Sequence, residues 1–167
     1  MRQLYGRTAY SHKTHEKQAD LELELYKRLT NGQIWFSALT TTSLILALLG
    51  DNKLGTIVGA LIATLQFGLT IYLKEINLQE KASSHSETAQ ALWSVREDLM
   101  SLITDMHDNR LDIDEVVEKR REMLDRLLHI YSASLRTSSR AYAMAQNSLK
   151  RAGDLSFGEE ELDNLIN

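Results

Sequence analysis

Two stretches without a charge, separated by a few residues, limit what this chain can become. Leu29 to Gly50 holds 22 residues and Leu54 to Leu73 holds 20, and neither contains Asp, Glu, Lys or Arg. Each is long enough to cross a hydrocarbon core of about 30 Å at about 1.5 Å per residue. A helix of a water-soluble bundle keeps a charged face, and these two keep none. The pattern therefore predicts two membrane spans over about 33–50 and 54–73, joined by a tip at 50–53. Core helices of a soluble bundle are the competing reading. Whole-chain averages conceal the segregation: 25% of the residues are charged and mean hydropathy is -0.28 because nearly all charge lies in the flanks.

The first run is not uniformly apolar. Ser37, Thr40, Thr41, Thr42 and Ser43 interrupt it with hydroxyls, which a bilayer tolerates because each can return a hydrogen bond to a carbonyl one turn back. A secretory signal peptide does not fit, since the run starts behind a mixed-charge segment and a second run follows at once. Basic residues cluster before the first span at Arg2, Arg7, Lys13, Lys17, Lys27 and Arg28, and Lys74 follows the second, whereas the tip offers Lys53 offset by Asp51. That asymmetry predicts both termini in the cytoplasm. Cysteine and proline are absent, which excludes disulfides and thiolate metal sites and leaves long helices uninterrupted.

The resulting expectation is an all-α chain: a two-span transmembrane hairpin continuing into a cytoplasmic helical bundle. Residues 1–32 read as an N-terminal cytoplasmic helix, 33–74 as the hairpin, 75–152 as the bundle and 153–167 as an acidic tail carrying Phe157, Leu162, Leu165 and Ile166. Beyond Lys74 an alternating four-three stripe of Leu78, Ala82, His85, Ala89, Leu92, Arg96, Leu99, Ile103 and Met106 has coiled-coil spacing. It is expected to continue the second span without a break. Leu78, His85, Leu92, Arg96, Leu99 and Ile103 read as an oligomer seam, in which His85 and Arg96 would set the register, snorkel to solvent or respond to a trigger. "HDNRLDID" reads as a corner, after which Asp112 and Glu115 have capping-box spacing. Val116, Val117, Leu124, Leu127, Leu128, Tyr131 and Leu135 then share one side of a helix. Thr137 and Ser138 would cap a last helix that Gly153 would end.

Within the hairpin, Gln33, Ser37, Thr40 and Ser43 fall on one stripe of the first span; Thr56, Gly59, Ala63, Gln66 and Thr70 form a stripe of the second. Gly55 and Gly59 make a GxxxG element that permits close helix approach. Two uses fit these stripes. They face each other inside one hairpin, with Gln66 bonded to a hydroxyl across the gap, or they line a pore or a contact between subunits. An amide at that depth needs either a partner or water.

Enzyme chemistry finds little footing. His12 and His15 lie one turn apart with Glu16 beside them, but lack the spacing of a zinc protease site; they read as exposed histidines on a charged helix. Lys119, Arg120 and Arg121 form a weak candidate phosphate patch, with Glu118 and Glu122 making a solvated, salt-bridged face the simpler reading. No glycine-rich phosphate loop, nucleophile setting or pocketed carboxylate pair is evident. The expectation is no enzyme, no cofactor, no metal and no direct nucleic-acid binding.

The layout resembles a known family. "ASSHSETAQALW", with His85 and Ala89, and "RAYAMAQNSL", with Tyr142 and Ala145, follow a charged helix and a tight two-span hairpin, as in the bacterial SLATT proteins. These are the SMODS and SLOG-associating two-transmembrane effector domains, and the resemblance covers roughly residues 10–152. It implies an inner-membrane effector of antiviral, abortive-infection-type defence. Such an effector would oligomerise and permeabilise or disrupt the bilayer, with a partner from a nucleotide-signalling or reverse-transcriptase operon. A non-conducting membrane anchor with a cytoplasmic coiled coil, or a soluble helical adaptor, is the alternative.

Overall fold

The computed structural model describes residues 1–49 and 53–152. Five α-helices follow one another in those residues, α1 (Arg2–Leu49), α2 (Lys53–Ile76), α3 (Leu78–His107), α4 (Ile113–Ala133) and α5 (Ser139–Asn147). A π-helical turn, Ser148–Ala152, continues α5. No strand occurs among the described residues. The residues expected at the tip, Gly50 to Asn52, lie outside the described part, and Lys53 already belongs to α2. Gly153 and the acidic tail at 153–167 lie outside it too.

The helix boundaries have local causes. α1 has no proline within it and runs through position 32 without interruption. α2 stops at Ile76 because Asn77 takes a left-handed backbone, φ 43°, a conformation that asparagine tolerates better than most residues. The expected unbroken passage from the second span therefore contains a one-residue interruption, bridged by the Lys81 amide donating to the Asn77 carbonyl at 3.2 Å. Asn109, φ 54°, ends α3 in the same way. The Arg110 amide reaches the Asp105 carbonyl at 3.0 Å and the Asn109 amide reaches that of Met106 at 3.3 Å, the paired bonds of a Schellman stop. Asp112 and Glu115 form the expected capping box on α4, and the Ser138 hydroxyl accepts from the Ala141 amide to open α5.

The chain forms two units. The bundle unit comprises Met1–Asp20 and the chain from Ser83 on; the hairpin unit comprises Leu21–Ala82. The core of the bundle unit is Leu4 from α1, Leu92, Val95, Leu99 and Leu102 from α3, and Met123 and Leu127 from α4. Leu92, Val95 and Leu99 have no solvent exposure. Arg126 ties α4 to α3 through Asp98 at 2.6 Å and Ser94 at 3.2 Å. Tyr131 donates to the Ser11 hydroxyl of α1 at 2.9 Å. α5 packs through Ala141 and Ala145, both fully buried. Its start is fixed by the Ser138 amide and hydroxyl, which both donate to the Gln18 side-chain carbonyl at 2.9 and 2.7 Å.

In the hairpin unit the last part of α1 lies antiparallel to α2. Gln33 donates from Nε2 to the Thr70 hydroxyl at 2.7 Å, and Gly59 sits against Ser43. Ten residues forward on α1 thus correspond to eleven back on α2. One helical run among the described residues, starting at Lys53, is long and apolar enough to cross a membrane; its window has mean hydropathy 1.8 and only 6% of it is buried. In α1, Gln33 and the hydroxyls dilute the corresponding run.

Candidate membrane site and buried polar layer

The two polar stripes of the hairpin each divide into a packed and an outward part. Gly59 is buried, and Gln33, Thr40, Ser43 and Gln66 are half-buried. Ser37, Thr56, Ala63 and Thr70 are exposed. A Cβ built on Gly59 would stand 3.3 Å from the Ser43 Cβ, whereas at Gly55 it would meet no described atom within 4 Å. Of the GxxxG pair, Gly59 makes the close approach seen among the described residues. The amide that crosses between the helices is also not the expected one. Gln33, not Gln66, bonds a hydroxyl of the facing helix, because Gln33 stands level with Thr70. Threonine hydroxyls are bonded within their own helices: Thr40 to the Phe36 carbonyl at 2.8 Å, Thr41 to Ser37 at 2.9 Å, Thr42 to Ala38 at 2.9 Å, Thr64 to Ala60 at 2.9 Å and Thr70 to Gln66 at 2.9 Å.

In the bundle unit, α1 and α3 meet through polar side chains that the sequence reading had placed differently. His12 and His15 are not exposed: they are 6% and 5% accessible. His15 Nδ1 lies 3.0 Å from His85 Nδ1, with ring centroids 5.1 Å apart. One ring must therefore donate and the other accept. Arg96 Nη1 lies 3.4 Å from His12 Nδ1. Since a guanidinium only donates, His12 carries its proton on Nε2, which faces Glu16 Oε1 at 3.6 Å. Arg96 is also held by Glu97, through Nε at 3.0 Å and Nη2 at 2.5 Å. Thr8 and Thr14 complete the α1 side, bonded to the Leu4 and Tyr10 carbonyls at 3.0 and 2.7 Å. Among the described residues no buried side-chain nitrogen or oxygen lacks a partner. A fully satisfied polar layer in an apolar seam fixes helix register.

The supposed oligomer seam is largely internal. His85, Leu92, Arg96 and Leu99 are buried against the chain's own α1 and α4, Leu78 is buried in the hairpin unit, and Ile103 is half-buried. The stripe has coiled-coil spacing, but the partners that cover it in the bundle unit belong to the same chain. Ala89 and Ala145 of the two quoted motifs are buried in that unit, and Tyr142 lies against Tyr10 with ring centroids 6.3 Å apart. The sequence reading missed Thr8, Gln18 and the buried state of the histidines. Their signal was present: Leu4, Thr8, His12, His15 and Ala19 recur by fours and threes on α1.

Lys119, Arg120 and Arg121 are all exposed. Lys119 borders a recess of about 250 Å³ that also holds Asp98, Asp105 and Glu122, carboxylates that repel phosphate. Among the described residues no three His, Asp or Glu side chains converge as metal ligands would.

Burial depresses the His15 pKa from 6.5 to about 4, with the neighbouring His85 adding to the effect. Burial lowers that of His12 as well, Glu16 opposing and Arg96 reinforcing the shift. Above pH 6.5, folded and unfolded chains both hold His15 neutral. Between 6.5 and about 4 only the unfolded chain takes up the proton, so stability declines as pH falls through that window. The denaturation midpoint of the bundle unit should drop steadily from pH 6.5 to 4, and His15→Gln should flatten the slope. A wild-type profile that is already flat there would remove the buried pair from the account.

No curated protein and no solved structure matches this chain. The model of one family, described as SMODS and SLOG-associating 2TM effector domain family 4, matches residues 1–161. A charged helix entering an antiparallel apolar hairpin, followed by a helical bundle in which His85 and Ala89 are buried, is thus the form that the chain takes as a member of that membrane-associated effector family.

Proposed function

We infer that this chain is a bacterial inner-membrane effector of antiviral, abortive-infection-type defence. Its hairpin crosses the bilayer twice with both termini in the cytoplasm, and several copies together permeabilise or disrupt the membrane without catalysis. The observation that carries this reading is the outward surface of the hairpin. Leu39, Leu46, Ile57, Leu61, Leu65 and Ile71 are each more than half exposed, a surface that lipid covers well and water poorly. Trp35 and Tyr72, also exposed, lie near the end of the hairpin away from the tip, where an interfacial aromatic belt would sit. The two-transmembrane description of the family agrees with a pair of spans. The activator would come from a neighbouring nucleotide-signalling or reverse-transcriptase gene.

The Gln33–Thr70 bond and the Gly59–Ser43 contact favour a second reading, in which the hairpin is a self-contained anchor. Dye or ion leakage on expression separates the two. Topology is tested independently. A periplasm-active reporter should work only when inserted between Gly50 and Lys53, and a cytoplasmic reporter only at the ends. Periplasmic activity at the C-terminus would overturn the two-span reading.

A further inference from the structure

A second apolar stripe on α4 remains outside the core. Val117, Leu124, Leu128 and Tyr131 are 39%, 44%, 70% and 41% exposed. With Arg121 they are spaced alternately by four and three, the repeat of a helix seam. The core side of the same helix is separate: Met123 and Leu127 are buried, and Arg126 is tied to Asp98. Beside the stripe lies a recess of about 210 Å³ walled by Leu4, Thr8, Leu128 and Tyr131 among others, room for an aliphatic side chain from outside.

The flanking charges identify the occupant. Arg120 directly precedes one inner position and Asp125 directly follows another, and both are exposed. Five residues apart, on opposite edges, they stand where two parallel copies of the helix place interhelical ion pairs. Reversing one copy would set each charge against its own kind or against an apolar residue. Glu118 and Asp125 share one edge of the stripe, where a helix lying on anionic lipid would carry Lys or Arg.

We propose that α4 is the contact between copies of this chain: the stripe packs against the same stripe of a second copy, helices parallel, with Arg120 of each copy facing Asp125 of the other. In this register Arg121, the charged residue within the stripe, stands level with Arg121 of the other copy, a like-charge contact that lowers the affinity of the pair. The proposal rests on the oligomeric effector reading and supplies its interface outside the hairpin.

The full chain in membranes tests it by oxidative cross-linking, since it has no native cysteine. Val117→Cys, Leu124→Cys and Leu128→Cys should each cross-link to their own kind, and His129→Cys, exposed on another side, should not. Arg120→Asp should abolish the Leu128→Cys cross-link, and adding Asp125→Arg should restore it. Cross-linking of Val117→Cys only to Leu128→Cys would mean antiparallel copies and overturn the proposal. So would equal cross-linking at His129→Cys, or loss of binding to anionic vesicles with Arg120→Asp while the cross-link survives. Leakage that persists without any α4 cross-link would overturn this interface and leave the membrane reading standing. Cross-links without leakage would support the interface and sink the permeabilising activity instead.

Discussion

Leu99→Asp is expected to unfold the bundle unit while the hairpin still inserts into membranes. Leu99 has no solvent exposure and packs in the cluster with Leu4, Leu92, Val95 and Met123. Truncating a buried leucine costs about 2–5 kcal/mol, and a carboxylate without a partner adds several more. A domain is stabilised by only about 5–15 kcal/mol, so the sum exceeds or nearly exhausts the margin. Limited proteolysis and circular dichroism of the detergent-extracted protein should show the loss. Leu128→Asp, on the exposed stripe of α4, should leave the unfolding midpoint almost unchanged. An unaltered midpoint for Leu99→Asp would mean that the α3 stripe is not a core face.

The second large effect concerns the membrane activity. Gly59→Leu should abolish leakage with the protein still reaching the membrane at normal abundance. Even a methyl group at this position would stand 3.3 Å from the Ser43 Cβ, and an isobutyl group must push the helices apart. Gln66→Leu should also abolish leakage if the amide lines water or joins copies. In a passive anchor the same change is neutral or slightly stabilising, because the bond across the hairpin is made by Gln33 and leucine suits lipid better than an amide does. Cysteines at Thr56, Ala63, Gln66 and Thr70 probed with a membrane-impermeant thiol reagent add a spatial readout. Labelling there but not at Ile57, Leu61 or Leu65 fits a water-filled lumen. Leakage that survives both substitutions would sink the permeabilising role of this face.

Much of the fold was legible because its signals are local. Charge-free runs, absent prolines, the Asp112–Glu115 box and the Ser138 cap each act within a turn or two of helix. What escaped depends on distant partners. A charged helix such as "HKTHE" looks solvated until α3 brings His85 and Arg96 against it, and no local rule supplies that pairing. The α3 stripe showed its spacing plainly, yet periodicity cannot say whether the covering helix belongs to the same chain. In the hairpin, the stripes were legible as polar, but helical position alone did not decide which edge faces inward. Asn77 was missed because asparagine is compatible with helix and only its backbone angle betrays the stop.

The threonine hydroxyls of the hairpin have a polarity of their own. In Thr40, Thr41, Thr42, Thr64 and Thr70 the proton already points at a carbonyl of the same helix. What each still offers its surroundings is lone pairs. Gln33 uses one such oxygen at Thr70, arriving as the donor. At these five threonines the hairpin therefore presents acceptors, and whatever meets them at depth, an amide, a water or a cation, must approach with its positive end first.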